Sequence, residues 1–146
     1  MNERYVFRGK HLSSGEWVAG HLVYGYNQPT IVSINSFFVA KTPETFLYGT
    51  VEDYSIDPAT LGQCTGLHDK NGKSIFEGDV YKYLPKKADC YADFYIVEWC
   101  NRNYQFILKS INGDHVGMTL HALAFGGYFR HVGSIHDNPE LLEVVK

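Results

Sequence analysis

The stretch "TGLHDKNGKSIFEGDVYKY", Thr65 to Tyr83, is compatible with two structures, and the fold depends on which of them it adopts. Its glycines and the following Lys73 and Ser74 form a pattern similar to that of a phosphate-binding loop. In such a loop, backbone N–H groups surround a phosphate at the start of a helix. The pair Asn71-Gly72 favours a β-hairpin instead, because both positions of a two-residue hairpin loop require φ > 0.

The spacing of the glycines excludes the phosphate-binding loop. Five residues separate Gly66 from Gly72, one more than the motif allows. Gly78 follows closely after Ser74, so no helix of useful length begins where the motif requires one. We therefore predict two strands that end at an Asn-Gly turn.

The same segment does not fit a calcium-binding loop. Asp69 and Asn71 would supply the first and third ligands, but the sixth and twelfth positions, which require Gly and Glu, are Ser74 and Val80. We expect Asp69 and Lys70 to lie in solvent beside the turn.

Composition limits the class of protein. The 146 residues are 45% hydrophobic and 15% aromatic, which fits a single globular unit with one sizeable core or two small ones. The net charge is −3, and the densest basic group is Lys82, Lys86 and Lys87. This is too little positive charge for a surface that binds duplex nucleic acid.

Neither export nor disulfide formation is expected. No apolar stretch reaches the roughly 20 residues needed to span a bilayer, and the start of the chain lacks the apolar run of a secretory leader. The cysteines Cys64, Cys90 and Cys100 are odd in number, so we expect free thiols. These features predict a soluble cytoplasmic protein without membrane contact.

Along the rest of the chain the dominant period of apolar residues is two, which is typical of strands. Ser14-Gly15 and Asn35-Ser36 supply turns, the second within a strand pair over 29–43. The alternation over 93–110, around a turn at 101–103, is the clearest hairpin. Further strands are predicted over 50–56, 79–84 and 126–135, with Pro85 ending one strand and a linker over 86–92.

Short helices are predicted at three places. Asp57 is a suitable cap for a helical turn that begins at Pro58 and ends at Gly62. The other two helices are expected within 117–125 and over 136–146, the second capped by Asp137 or Asn138.

The expected fold is mainly β (α+β), with a β-meander in the N-terminal half and an SH3-like, barrel-type C-terminal half with short helices. We treat residues 1–146 as a single unit with possible sub-lobes over 1–56 and 57–146. The barrel is an analogy, drawn from the sharp corner at Glu77-Gly78-Asp79 and the Trp-bearing hairpin after it, and it implies no ligand.

Two segments carry a family resemblance. Residues 60–83, "TLGQCTGLHDKNGKSIFEGDVYKY", and 132–143, "VGSIHDNPELLE", together resemble the YopX family of phage and prophage proteins. The opening "YVFRGKHLSSGEWVAG" is similar to that family's start, so the resemblance spans nearly the whole chain. The sequence departs from the family's pattern at Cys64, where an aromatic residue would be more usual. The resemblance implies a small, mainly β protein of phages or integrated phage elements, without an established activity or catalytic residues to carry over.

Cysteine and histidine residues offer a possible metal site. Cys64 and His68 have a spacing typical of ligands, and His131 and His136 would add to them. A closed structural zinc site normally includes a C-x-x-C pair, and the sequence contains none. We expect buried or half-buried thiols and surface histidines, and therefore neither a metal nor a cofactor.

Cysteine and histidine could also form a nucleophile with its base. Cys100 or Cys64 would be the nucleophile, and His121 or His131 would accept its proton. Because Cys100 follows Trp99 at the end of a predicted strand, a packing role for its thiol is the simpler interpretation.

Glu77 and Asp79 flank Gly78 and would share one face of a strand, an arrangement that can hold a cation or share a proton. A charged outer face beside a turn is the commoner result of this pattern. Together with Cys64 and His68, these carboxylates form the one candidate surface site, without an assigned catalytic, cofactor or metal role.

The aromatic content is the feature of the sequence that favours a binding function. The 11 tyrosines and 9 phenylalanines exceed what a small core requires, and Tyr24, Tyr26 and Tyr48 lie near predicted turns. We expect a non-enzymatic accessory protein that contacts phage or host proteins and forms a homo-oligomer, which would cover its sheet edges. Two alternatives stay open: weak binding of single-stranded nucleic acid, and a small metal-dependent enzyme.

Overall fold

The structure is a computed structural model, and it describes residues 3–25, 28–33, 54–84, 93–113, 117–125 and 128–143. The chain divides into two compact units, Met1–Gln63 and Cys64–Lys146. The division therefore lies later in the chain than the predicted one after Ile56.

The first unit is an antiparallel meander. Its strands are β1 (Phe7–Lys10), β2 (Trp17–Gly25), β3 (Gln28–Ser33) and β4 (Tyr54–Ser55). The order β4-β3-β2-β1 is continued by the first residues of β5 (Gly62–His68), which pair with Phe7 and Arg8. The N-terminal meander that the alternating pattern predicts is confirmed.

The first unit extends beyond Ile56 because the following turn packs on β1. Pro58–Thr60 forms one turn of 3-10 helix, and the Asp57 side chain caps it by accepting a backbone N–H at 3.0 Å. The Thr60 hydroxyl oxygen accepts the Lys10 N–H at 2.8 Å, which ties the turn to β1. The predicted cap is confirmed, although the turn ends before Gly62.

A small apolar core stabilises the first unit. Val6, Ile31, Val32 and Ile56 are buried, and Ile31 and Ile56 have no exposure at all. Gly20 on β2 lies so close to the Val32 carbonyl oxygen that a Cβ atom there would overlap it. Glycine is therefore required at this position for the two backbones to approach each other.

The stretch 65–83 forms the hairpin that the glycine spacing predicts. The later residues of β5 pair antiparallel with β6 (Ser74–Phe76), with His68 opposite Ser74. A corner at Gly78 then leads into β7 (Asp79–Tyr83). Neither a phosphate-binding loop nor a helix follows Lys73.

The turn of this hairpin differs from the predicted one. Gly72 has φ of 78°, but Tyr104 is the one non-glycine residue with positive φ in the described part of the chain, so Asn71 has φ < 0. The loop is also longer, because the Asp69 N–H donates to the Lys73 carbonyl oxygen at 2.9 Å. The expected two-residue turn with two left-handed residues is therefore wrong.

The second unit contains a five-stranded antiparallel sheet. Its strands after β7 are β8 (Phe94–Cys100), β9 (Gln105–Ser110), β10 (Met118–Thr119) and β11 (Phe129–Ser134). In the order β10-β9-β8-β7-β11, four successive strands form a meander and the last strand returns beside the first. The mainly β fold class is confirmed, with an antiparallel sheet in this unit.

Aromatic and aliphatic side chains fill the core of the second unit. The Phe129 ring lies 5.2 Å from the Tyr83 ring and 5.6 Å from the Tyr95 ring, centroid to centroid. The buried core residues are Ile75, Tyr81, Tyr95, Val97, Leu108, Leu120, Leu123 and Phe129. Several of the numerous aromatic residues therefore contribute to folding.

The predicted helices of the second unit are shorter than expected. The internal helix α1 is His121–Phe125, because Met118 and Thr119 pair with β9 as strand β10. The terminal helix is a 3-10 turn over Pro139–Leu142, and the side chain of Asn138 at its N-cap position makes no capping hydrogen bond. No helix within the described residues is long and apolar enough to cross a membrane.

Some predicted features fall on residues that the structure does not describe. Strand β3 confirms the first part of the strand pair expected over 29–43, and β4 contains residues of the strand expected over 50–56. The features outside the described residues are the Asn35-Ser36 turn, residues 50–53, Pro85, the linker 86–92 with Cys90, Tyr26, Tyr48 and residues 144–146.

The close approach at Gly20 gives a test of the first unit. We expect Gly20→Ala to lower the free energy of unfolding by about 2 kcal/mol, a typical cost of forcing extra atoms into a packed site. The control is Ala19→Ser, since Ala19 is exposed and the change should cost less than about 0.5 kcal/mol. Urea unfolding followed by tryptophan fluorescence measures both, and equal stabilities would contradict the close approach.

Candidate functional site

Asp69 is a structural residue of its turn. It is only 8% exposed, and its Oδ1 accepts the backbone N–H groups of Asn71 at 2.8 Å and Lys73 at 3.0 Å. An aspartate that binds the backbone a few residues ahead stabilises a turn. The expectation that Asp69 lies in solvent is wrong, whereas Lys70 is exposed as expected.

Asp79 is completely buried at the start of β7. Its Oδ2 accepts the Phe76 N–H at 2.9 Å, a bond that spans the corner at Gly78. Its Oδ1 lies 3.3 Å from Nε2 of His131. Because burial of an unpaired carboxylate is costly, these contacts are what allow Asp79 to occupy this position.

His131 connects Asp79 with Lys73. The Lys73 Nζ atom lies 3.2 Å from Nδ1 and 3.3 Å from Nε2 of the imidazole. Tyr81 is directly opposite His131 in the β7–β11 register, and the two rings meet edge to face with centroids 5.2 Å apart. We call Lys73, Asp79 and His131 the Lys73 cluster.

The four residues of the predicted surface site have different environments. Cys64 and Asp79 are buried, with exposures of 1% and 0%, while His68 is exposed at the end of β5. Glu77 lies in the turn before β7, so the expectation that it shares a strand face with Asp79 is wrong. Within the described ranges, no three His, Cys, Asp or Glu side chains are placed to hold a metal ion.

The other cysteine and histidine residues considered for chemistry lie on separate elements. Cys100 is half-buried at the end of β8, and His121 begins α1. The His136 ring lies beside the corner, with its Nε2 3.5 Å from the point where a Cβ of Gly78 would be. His131 is the histidine that lies beside both Lys73 and Asp79.

A second carboxylate, that of Asp93, binds residues at the open end of the β8–β9 hairpin. Asp93 accepts the Ser110 hydroxyl at 2.8 Å and the Asn112 side-chain amide at 2.8 Å. Burial raises the pKa of the nearby Tyr95 phenol, and so do the Asp93 charge, a hydrogen bond to Asp93 and the interaction with Tyr83. The neutral, proton-donating phenol is therefore the favoured form.

The other end of the same hairpin exposes aromatic rings. Tyr104 is 81% exposed and Trp99 is 40% exposed, and the Trp99 ring meets the Phe106 ring edge to face at 5.0 Å. Tyr104 has φ of 53°, a left-handed conformation in which Gly, Asn and Asp are common and bulky residues are rare. We call Trp99, Tyr104 and Phe106 the aromatic tip.

Sequence reasoning placed the hairpin turn at 101–103 and missed Tyr104. The turn in fact runs from Asn101 to Tyr104. A signal was available, because a loop built on a type I turn commonly ends in a left-handed residue. A tyrosine in that place is unusual, because bulky residues rarely adopt this conformation.

Comparison with known proteins reveals the family. The chain matches the family described as YopX protein over residues 6–143. The chain belongs to the YopX family. A crystal structure of protein EF1440 from Enterococcus faecalis is similar to this YopX protein, with a TM-score of 0.57 and 25% sequence identity over 93% of this chain and 96% of that chain. A comparison with curated proteins finds no match.

The role of Asp69 can be tested by graded substitution. Asp69→Ala should lower the free energy of unfolding by about 1–2 kcal/mol, because two backbone N–H groups lose their acceptor. Asp69→Asn keeps an acceptor oxygen and should cost less than about half as much. Lys70→Ala is the exposed control in the same turn. Equal losses for the Ala and Asn variants, measured by urea unfolding, would contradict this role.

Because the pKa of the Tyr95 phenol is raised, we expect the stability of the protein to depend on pH in the alkaline range. The pKa of the phenol in the folded protein is raised above the usual 10.0. The contribution of the phenol to the free energy of unfolding is therefore present below pH 10.0 and is lost as the pH rises through the folded pKa. The wild type should lose stability more steeply than Tyr95→Phe as the pH rises above 10.0. Urea unfolding at several pH values measures this difference, and parallel curves would show that the phenol is not perturbed.

Proposed function

We propose that this YopX-family protein is an accessory protein of phages or integrated phage elements that works through contacts with other protein molecules and not through catalytic turnover. The aromatic tip is the contact surface, and a second copy of the chain is the partner. One observation carries the proposal: Tyr104 combines 81% exposure with a left-handed backbone.

The Tyr104 ring adds little to folding, and the left-handed backbone that the turn requires would cost less with Gly or Asn at this position. A left-handed conformation costs most L residues roughly 1–2 kcal/mol, and a ring that remains in water returns little of this through burial. Strained residues often occur where a protein binds a partner, since binding can compensate for the strain. Tyr104 is therefore better explained by a contact than by the stability of its turn.

The other two rings of the tip form a rigid base for Tyr104. Trp99 and Phe106 are opposite each other in the β8–β9 register. The Trp99 Nε1–H donates to the Asn101 side-chain oxygen at 2.9 Å, which fixes the indole before any partner binds. Rigid aromatic side chains lose little conformational entropy on binding, and they are common anchors of protein interfaces.

The charge of the tip supports a second copy as the partner. Arg102 is exposed within the tip loop, while the chain as a whole has a net charge of −3. A loop with an exposed cation is attracted to another copy of a chain whose net charge is negative. Self-association would also cover sheet edges that otherwise remain open to unwanted pairing.

A specific feature of the first unit favours a second candidate function, weak binding of single-stranded nucleic acid. Arg8 Cζ lies 4.6 Å and Lys10 Nζ 5.6 Å from the ring centroid of Trp17. Cations beside an indole ring are the combination that holds phosphates and stacks bases. This function requires oligonucleotide binding that weakens as salt rises, and no binding at low salt would exclude it.

Light scattering of Tyr104→Asn tests the contact function. The wild type should form a defined oligomer, and Tyr104→Asn should raise its dissociation constant by about tenfold or more, as truncation of a central anchor does. The free energy of unfolding should stay unchanged or rise by up to about 1 kcal/mol, because Asn tolerates the left-handed conformation.

The control is Tyr5→Asn, which removes a tyrosine ring of 65% exposure outside the tip. It should leave the dissociation constant unchanged. A wild type that is monomeric at tens of micromolar would overturn the proposal, and so would equal effects of the two substitutions.

A further inference from the structure

We propose that Asn71 is a site of spontaneous covalent modification, at which the backbone nitrogen of Gly72 displaces the side-chain amide and water then leaves an aspartate or an isoaspartate. The same reaction is slow at Asn112, the other asparagine of the sequence that is followed by glycine. This inference goes beyond the proposed contact function and rests on different residues.

The two Asn-Gly pairs lie in turns that share one backbone arrangement. Asp69 Oδ1 accepts the Asn71 N–H at 2.8 Å, and the Asp69 carbonyl oxygen accepts the N–H of the next glycine at 2.9 Å. In the other turn, the Ser110 hydroxyl oxygen accepts the Asn112 N–H at 3.2 Å. The Ser110 carbonyl oxygen accepts the N–H of the glycine that follows, also at 3.2 Å. Each pair therefore serves as a control for the other.

Both glycines leave the attacking nitrogen accessible. Gly72 has φ of 78° and Gly113 has φ of 75°. A Cβ atom built on either glycine would meet no described atom within 4 Å, apart from those of its chain neighbours. Asn71 and Asn112 are exposed as well. The reactivity of the two pairs should therefore depend on what holds the asparagine side chains.

Only one of these side chains is held by a charged group. The Asn112 Nδ2 atom donates to Asp93 Oδ1 at 2.8 Å, and the other oxygen of Asp93 accepts the Ser110 hydroxyl at 2.8 Å. Among the described residues, the Asn71 side chain makes no hydrogen bond. Its carbonyl carbon is therefore able to turn toward the Gly72 nitrogen without losing a contact.

The cost of reaching the reactive arrangement differs between the sites by this one bond. At Asn71, the Gly72 N–H must leave the Asp69 carbonyl oxygen, and water can replace that bond because the loop is exposed. At Asn112, the corresponding backbone bond and the side-chain bond to Asp93 must both break. Hydrogen bonds to charged groups are stronger than those between neutral groups, so Asn112 should react more slowly.

The reaction needs water as its one co-reactant. The Gly72 nitrogen gives its proton to solvent and attacks Cγ of Asn71, so that a new N–C bond forms. The bond from Cγ to Nδ2 then breaks, and Nδ2 takes up a proton from solvent and leaves as ammonia. Water opens the resulting cyclic imide at either carbonyl group. One opening gives an aspartate, and the other gives an isoaspartate, whose main chain contains one additional carbon.

The isoaspartate changes the loop that carries Lys73. Asp69 Oδ1 accepts the N–H groups of both Asn71 and Lys73, at 2.8 Å and 3.0 Å. An additional main-chain carbon between these two N–H groups alters their spacing, so one carboxylate oxygen no longer binds both. The contact of Lys73 with His131 depends on the same loop. The modification thus alters this part of the protein irreversibly with time.

Incubation of the folded wild-type protein in warm, mildly alkaline buffer tests this inference. Peptide mass spectrometry follows the conversion of each asparagine amide to an acid. We expect Asn71 to react about tenfold faster than Asn112, because one charge-assisted bond need not break. In concentrated urea, where both turns are unfolded, the two rates should become similar. Equal rates in the folded protein would overturn the inference, and so would an equally large difference in urea.

Two substitutions test the protection of Asn112. Asp93→Ala removes the acceptor of its side chain, so the Asn112 rate should rise to that of Asn71. Tyr95→Phe is the control, because it removes a different neighbour of Asp93 and should leave the Asn112 rate unchanged. A low Asn112 rate in folded Asp93→Ala, as judged by circular dichroism, would contradict the protection by Asp93.

The two products separate the effect of the main chain from that of charge. The variant Asn71→Asp has the new charge and a normal main chain. Protein that contains isoaspartate at this position, isolated after incubation, should unfold at a lower urea concentration than Asn71→Asp, because Asp69 loses a backbone contact. Equal unfolding midpoints would show that the loop keeps its contacts, which would overturn the structural consequence.

Discussion

The buried carboxylate of Asp79 is the constraint on which the second unit depends. It has no exposure to solvent, and it is bound by the Phe76 N–H at 2.9 Å and the His131 ring at 3.3 Å. The first contact fixes the corner between β6 and β7, and the second joins β7 to β11. The register of β11 shifts between His131 and Gly133, and such a bulge changes where neighbouring side chains point. One carboxylate thus links the hairpin, the sheet and its last strand.

The two ends of the β8–β9 hairpin differ in the contacts of their side chains. At its open end, Asp93 binds Ser110 and Asn112, and these contacts hold the strands together. At its closed end, Tyr104 and Trp99 expose aromatic surface. The Lys73 cluster lies on a different hairpin loop and on β7 and β11.

Local patterns predicted most elements of the fold and fewer of their details. The alternation over 93–110 and the Asp57-Pro58 pair were sufficient for a hairpin and a capped turn. The Asn71-Gly72 turn was predicted wrongly because the Asp69 side chain binds the backbone and lengthens the loop. The internal helix was predicted too long because pairing with β9 overrides the helix propensity of Met118.

The sequence by itself determined the period of the strands, the exclusion of phosphate and calcium loops and the family, because these depend on spacing between residues close in the chain. Only the tertiary structure decided that Asp79 is buried, that Tyr104 is left-handed and that His131 lies between Asp79 and Lys73. Asp79 and His131 are 52 positions apart. Their contact follows from strand pairing and from the cost of burying a charge, and neither is expressed in the local pattern.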